Sequence, residues 1–286
     1  MTPHVRHYYH EDTGTLSYVV SDPDSTSAAI IDPVLGFCPE SGRTDTNHAD
    51  TIAGDVASQG LDVEWILETH AHADHLSAAQ HLKQKLGGRI GIGSGICDVQ
   101  RHFAKIFNLK PPFEPDGRQF DHLFADGENF RIGALDVRVM RTPGHTDDSV
   151  SYVFDGAAFI GDTLFMTDGG TARCDFPGGD AGRLYDSIAR LLELPDDTLL
   201  YLCHDYPPDD RPVRASASVA EQKAANIHVG GGIGKDEFVA MRNARDETLS
   251  LPRLIIPSIQ VNIRAGALPD AEDNGIAYIR VPLDRF

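Results

Sequence analysis

The chain has 286 residues, enough to bury a substantial core without staples, and length alone does not choose between one large domain and two small ones. An apolar share of 41% and a charged share of 24% are those of an ordinary globular protein, and no apolar run approaches the roughly 18 residues of a membrane span. Lysine and arginine number 25 against 43 aspartate and glutamate, and the net charge of −18 argues against nucleic acid or an anionic membrane as the main partner.

In chain order, the N-terminal stretch MTPHVRHYYHEDTG has neither the apolar segment of a secretory signal nor the arginine-rich, acid-poor character of a mitochondrial presequence. Cys38, Cys97, Cys174 and Cys203 form no C-x-x-C pair and no disulfide framework, so a cytoplasmic location is expected. Thr15 to Val20 and Ser27 to Val34 read as β runs around the turn-like Ser21 to Ser25. Residues 49 to 59 carry a helical pattern, and Val63 to Thr69 reads as a strand running into a histidine cluster. A helix is expected from Asp74 to Leu86, stopped by Gly87-Gly88, then a strand over Arg89 to Ile96 and a helix over Val99 to Asn108. Past the proline-rich Pro111 to Pro115, short β runs follow near Phe130 to Ile132, Leu135 to Met140, Val150 to Phe154 and Ala157 to Ile160. Gly182 to Leu194 reads as a helix and Thr198 to Cys203 as a strand. The tail from about Pro207 starts Pro- and Asp-rich, turns helical over Val219 to Ala225 and Asp236 to Asn243, and holds a flexible loop at Gly230 to Gly232. Two β-rich stretches, each followed by helices, predict a β-sheet sandwich with helices outside.

The chemistry is concentrated past the predicted strand ends. Thr69-His70-Ala71-His72-Ala73-Asp74-His75 packs three imidazoles and a carboxylate, the ligand types of Zn and Fe(II), into six residues. An extended segment points His70 and His72 to one side, and a turn then presents Asp74 and His75. The bland alternative is a polar loop with Asp74 as a helix N-cap. Further on, His145 follows Leu135 to Met140 within Thr142-Pro143-Gly144-His145-Thr146, and Asp162 follows Ala157 to Ile160 within Gly161-Asp162-Thr163. His204 follows Thr198 to Leu202 within Cys203-His204-Asp205-Tyr206. Ligands carried on separate strand ends are placed to converge.

The ordered set H-x-H-x-D-H, G-H-T, G-D-T and H-D resembles the metallo-β-lactamase superfamily from about Thr15 to Tyr206. The resemblance implies an α/β fold, the αββα sandwich, with a metal site at one edge of its two sheets. It implies a single domain over 1–286, with a core of about 1–206 and a C-terminal extension of about 207–286. Asp32, in Ile31-Asp32-Pro33, matches the family's early structural aspartate. Two chemistries compete. In the hydrolases, glyoxalase II among them, two metals bind; the matching residues are His70, His72 and His145 for one, and Asp74, His75 and His204 for the other, with Asp162 bridging. Two zinc ions there imply hydrolysis of a thioester or related bond. In the persulfide dioxygenases one Fe(II) binds at His70, His145 and Asp162, leaving positions open for a substrate sulfur and O₂. His72, Asp74, His75 and His204 then surround the ion and orient its ligands.

The run Gly161-Asp162-Thr163-Leu164, then Thr171-Ala172-Arg173-Cys174-Asp175-Phe176, then Leu184-Tyr185-x-Ser187 is similar to that of persulfide dioxygenases, above all the bacterial β-lactamase-like hydrolase subgroup. The Thr171 to Phe176 stretch departs from the plain G-R-T-D-F form. The resemblance implies oxidation of glutathione persulfide, or a similar small persulfide, by O₂ to sulfite and thiol, with Asp74, His75, Arg173 and Tyr206 around the reacting centre. Arg173 matches the family's substrate-side arginine, where it would pair with a carboxylate; an ion pair with Asp175 is the alternative. Tyr206 hydrogen-bonds substrate or a ligand, or packs under the site. Cys174 and Cys203 are either buried apolar residues or sulfur carriers. The tail covers the site, extends the fold or forms a homodimer contact.

Overall fold

The computed structural model describes residues 1–208 and 211–285; Asp209 and Asp210, in the Pro- and Asp-rich start of the tail, lie outside the described residues. Two six-stranded sheets carry the molecule. The first runs in the order His4–His10, Thr15–Ser21, Ser27–Ile31, Asp62–Leu67, Arg89–Gly93, His122–Phe124. The second runs Asn129–Ile132, Leu135–Arg141, Val150–Phe154, Ala157–Phe159, Leu199–Tyr201, Ser216–Ser218. Alternation decides which residues enter the interior: Leu16, Tyr18 and Val20 face across the sandwich to Val137, Val139, Tyr152 and Phe159.

Each sheet's outer face is covered by helices. Asn47–Ser58, Ala79–Leu86 and Ile96–Ile106 pack on the first with the C-terminal helix Ile255–Asn262, whose Ile255, Ile259 and Val261 join that core. Ala181–Leu192 and Lys235–Asp246 cover the second through Leu184, Ile188, Leu191 and Phe238. The expected four-layer α/β sandwich is what forms. No described helix is long and apolar enough to cross a membrane.

Several local expectations change. The helix expected from Asp74 begins at Ala79, because Leu76–Ser77 instead pairs as a short strand with Val34 and Leu35 in a third, three-stranded sheet. Asp74 is therefore no helix cap; Ala78 occupies that position. The strand expected to Ile96 ends at Gly93, and Ile96 already opens the next helix. Gly230–Gly232, expected as a flexible loop, forms a 3-10 turn. The N-terminal strand His4–His10 escapes the sequence reading because as an edge strand it buries none of its side chains fully.

The topology places the site. Ser27–Ile31 is parallel to Asp62–Leu67, and Ala157–Phe159 is parallel to Leu199–Tyr201, so the C-terminal ends of each pair leave their sheet at the same edge. Main-chain bonds join the sheets there: Leu16 N–H donates to Cys203 O at 2.7 Å and Val150 N–H to Thr69 O at 2.9 Å.

Candidate metal centre

Asp32 leaves its strand in the left-handed region at φ 49°, a conformation that Asp tolerates better than most residues. The turn aims its buried carboxylate back at the histidine loop. Oδ1 accepts from Thr69 N–H at 2.7 Å and Oδ2 from the Thr69 hydroxyl at 2.9 Å. The Thr69 oxygen, its hydrogen committed to Asp32, lies 3.1 Å from His70 Nδ1 and accepts from it. That tautomer leaves His70 Nε2 bare, which is what a ligand requires. Burial drives His70 well below its ordinary pKa, with His72 and His145 adding to the effect, so the ring is neutral.

His145 is oriented in the same manner. Its Nδ1 donates to the carbonyl of Arg173 at 2.7 Å, freeing Nε2. Gly144 before it, at φ 140°, admits no side chain, since a Cβ would stand 2.3 Å from the Leu184 backbone. Gly161, at φ 51°, brings Asp162 against the loop; a Cβ there would lie 2.7 Å from the Thr69 hydroxyl oxygen. Asp162 Oδ2 is 3.6 Å from His145 Nε2 and 3.9 Å from His70 Nε2, while Oδ1 is 3.5 Å from His204 Nε2. Asp74 Oδ2 lies 3.2 Å from both His204 Nε2 and His75 Nδ1.

Among the described residues four overlapping donor groups result, and two of them involve Cys203: Asp32, His72 and Cys203, and Asp162, Cys203 and His204. The other two hold the cluster: His70, His145 and Asp162 form the first, and His72, Asp74, His75 and His204 the second. His72, expected beside His70 and His145 in a two-metal arrangement, turns Nε2 toward the Asp32 carboxylate at 3.0 Å and Glu68 at 3.5 Å and keeps Nδ1 buried without a hydrogen-bond partner. Burial opposes charge on His72, yet Asp32 raises its pKa well above the ordinary value.

The donors fit a metal ion. Nε2 of His70, His75 and His204, Nδ1 of His72 and Oδ1 of Asp162 are buried without a hydrogen-bond partner, a costly state for polar atoms unless something else engages them. The 3.5–3.9 Å separations around Asp162 exceed hydrogen bonds and lie just beyond the ~3.0–3.4 Å expected of two atoms that each ligate one ion at about 2.1 Å. Despite its burial, His204 is held well above its ordinary pKa by Asp162 and Asp74. These carboxylates demand a positive charge, which a cation would supply in place of a proton.

A cleft of about 1560 Å³ opens over His75, His145 and Asp162, with Phe165, Arg173 and Tyr206 on its walls. Tyr206 is exposed and stacks on His204, ring centroids 5.6 Å apart, instead of packing beneath it. Arg173 makes the ion pair with Asp175, Nε and Nη2 each at 2.6 Å, and gives Nη1 to Ser250 O at 2.6 Å. Its guanidinium is thus largely committed within the chain. Burial pushes the Cys174 thiol up to about 12 and raises that of Cys203, so neither presents a thiolate at neutral pH.

Sequence reasoning missed the supports around these residues. Asp148 Oδ2 accepts from Ala71 N–H at 2.8 Å, and Asp246 Oδ2 from Cys174 N–H at 2.7 Å. Asp148 stands only three residues past His145, so a second carboxylate beside the G-H-T run was a usable signal. Asp246 had none, because it reaches the site from a distant helix. His228 is another such support, its Nδ1 accepting from Thr171 N–H at 3.0 Å. Burial, helped by Arg242 and Arg245, lowers His228 to about 4 from an ordinary 6.5. Between those pH values the unfolded chain takes up a proton that the folded chain refuses. The His228 contribution is complete above about pH 6.5 and is lost as pH falls toward about 4. Urea unfolding across this range is expected to show a shallower loss of stability for His228→Gln than for the wild type; identical slopes would refute the assignment.

The metallo-beta-lactamase superfamily profile matches residues 11–204. A probable metallo-hydrolase of Burkholderia pseudomallei strain 1710b is 51% identical over 98% of this chain and 99% of its own length. The beta-lactamase hydrolase-like protein of Xylella fastidiosa strain Temecula1 is 50% identical over 99% of this chain, which spans 65% of that relative's length. The mitochondrial persulfide dioxygenase ETHE1 of Homo sapiens is 28% identical over 88% of this chain and 84% of its own. The crystal structure of ETHE1 from Myxococcus xanthus matches with a TM-score of 0.74 at 30% identity, covering 92% of this chain and 100% of that one.

Proposed function

Because the chain belongs to the metallo-beta-lactamase superfamily, we propose that it is a persulfide dioxygenase acting on glutathione persulfide or a similar small persulfide through a single Fe(II). The observation that carries this reading is the division of the donors. His70, His145 and Asp162 gather as two imidazoles and one carboxylate, a group separate from that of His72, Asp74, His75 and His204. Likeness to ETHE1 supports it.

When bound by His70, His145 and Asp162, Fe(II) supplies the redox chemistry with O₂, and its open positions suit a sulfur ligand. The balanced reaction is RSSH + O₂ + H₂O → RSH + SO₃²⁻ + 2 H⁺. The chain's residues do the rest. Thr69 and the Arg173 carbonyl hold His70 and His145 in the ligating tautomer. His75 and Asp74 line the cleft beside these ligands, where they hold water and orient neighbouring groups, and Tyr206 offers its hydroxyl to the substrate at the wall.

One observation favours a second reading, a two-zinc hydrolase of a thioester: Asp162 presents its other oxygen to His204, within the second donor group. Protein loaded anaerobically with Fe(II) is expected to hold about one iron per chain and to consume O₂ with glutathione persulfide. No O₂ uptake, together with thioester hydrolysis by a form holding two zinc ions, would sink the dioxygenase and establish the hydrolase.

A further inference from the structure

We infer that Asn262, in the C-terminal segment, is a positioning residue of the metal centre, setting the conformation of the loop that presents Asp74 and His75. The inference rests on the metal-centre reading but not on the choice between iron and zinc.

Asn262 ends the helix Ile255–Asn262 and is 4% exposed. Its Nδ2 donates to His72 O at 2.8 Å and to His75 O at 2.8 Å, and its Oδ1 accepts from Ser77 N–H at 2.8 Å. One side-chain amide thus spends two donors and one acceptor on the stretch between the second histidine of the cluster and the strand after it. That stretch, up to Leu76, has no helix or strand of its own to settle its main-chain groups. Tying the carbonyls of His72 and His75 to one nitrogen fixes the distance across the loop. The Asp74 side chain between them is thereby directed to His204, 3.2 Å away. Only an amide of this reach offers both donors and the acceptor together; a carboxylate would set an oxygen against two carbonyl oxygens.

The amide stands on a rigid base. Ile255, Ile259, Val261 and Ile263 lie in the core beneath the first sheet's helices, and Gln100 Nε2 donates to Ile263 O at 2.8 Å. The chain then turns through Ala265 and Gly266, both at positive φ, and a Cβ at Gly266 would come within 2.9 Å of Ser77 O. Close packing on that side leaves the loop no room to relax away from Asn262. The histidine loop is therefore gripped from two directions, by Asp32 at Thr69 and by Asn262 at His72, His75 and Ser77. The second grip comes from beyond residue 204, where the family match ends.

Asn262→Asp tests this directly, since it keeps the acceptor for Ser77 and removes both donors; Asn262→Ala removes the contacts without adding repulsion. Three readouts apply: metal affinity by chelator competition, the visible spectrum of the Co(II)-loaded protein, and amide hydrogen exchange in the metal-free chain. Both variants are expected to bind metal about 10–100-fold more weakly, the range typical of lost outer supports, and to change the Co(II) spectrum. Exchange over residues 72–77 is expected to quicken while the strand Leu135–Arg141 keeps its protection. A folded variant of either kind with wild-type affinity, spectrum and loop exchange overturns the inference. If Asn262→Asp does not fold, Asn262→Ala decides by the same readouts; if neither folds, Asn262 supports the whole fold and the assignment to the metal loop is overturned. A wild-type chain that binds no metal refutes the metal-centre reading instead, and exchange in the metal-free variants still decides whether Asn262 sets the loop.

Discussion

Asp162→Ala is expected to lose stoichiometric metal and activity together while keeping its fold. Oδ2 faces His70 and His145, and Oδ1 faces His204, so one carboxylate serves both donor groups. No side-chain hydrogen bond within the described residues depends on it, and its Oδ1 is buried without a partner. The carboxylate therefore contributes to ion binding far more than to folding, and removing it should cost the metal-free chain little. Activity should fall by more than the roughly 10–100-fold that follows loss of an outer support. Elemental analysis, circular dichroism and turnover check the three parts. A variant that keeps its metal, or one that cannot fold, would contradict the role given to this residue.

The largest effect on stability is expected at Asp32. Replacement by alanine strips a partner from Thr69 N–H, the Thr69 hydroxyl and His72 Nε2, all of them buried. It also puts a residue with no side-chain hydrogen bond at φ 49°. Breaking a buried pair by removing one member costs about 3–5 kcal/mol. Asparagine tolerates the backbone and keeps some of the hydrogen bonds, so Asp32→Asn should lose less. Urea denaturation of the metal-free proteins measures the difference, and a loss under about 1 kcal/mol for Asp32→Ala would sink the argument. Burial opposes ionisation of Asp32, but His72 and the Thr69 donors hold its pKa below the ordinary 3.8. Its contribution is therefore present above about pH 3.8 and disappears as pH falls through the lower folded-state value. The thermodynamic loss also reaches the ligand: with Asp32 gone, the Thr69 hydroxyl is free to donate to His70 Nδ1, which selects the wrong tautomer for metal binding through Nε2.

Much of this architecture is legible in the amino-acid order, for a local reason. The β runs read at Val63 to Thr69, Leu135 to Met140, Ala157 to Ile160 and Thr198 to Cys203 form strands that end within two residues of those bounds, at Leu67, Arg141, Phe159 and Tyr201. His70, His145, Asp162 and His204 stand past those ends. Convergence of the four follows from the sheet topology. What is not legible is non-local. Nothing around Asn262 announces that its amide will meet residues some 190 positions earlier, and Leu254 to Ile263, carrying Pro257 and no polar cap, does not advertise a helix. The false helical start at Asp74 has the same origin. Leu76, Ala79 and Leu82 keep helical spacing, but pairing of Leu76–Ser77 with Val34 and Leu35 overrides it. For Arg173, both uses of the guanidinium are chemically sound; only the placement of Asp175 and Ser250 commits it to one.

His145 is steadied by a peptide carbonyl at position 173, a group that every amino acid carries. The identity of residue 173 is thus separable from ligand geometry: a substitution there can reshape the cleft wall while the imidazole keeps its acceptor. Descendants of such a chain could change which compound they accept through point mutations at this wall without first repairing the ion's setting. Positions 32 and 262 allow no such drift, because there the steadying atoms belong to side chains.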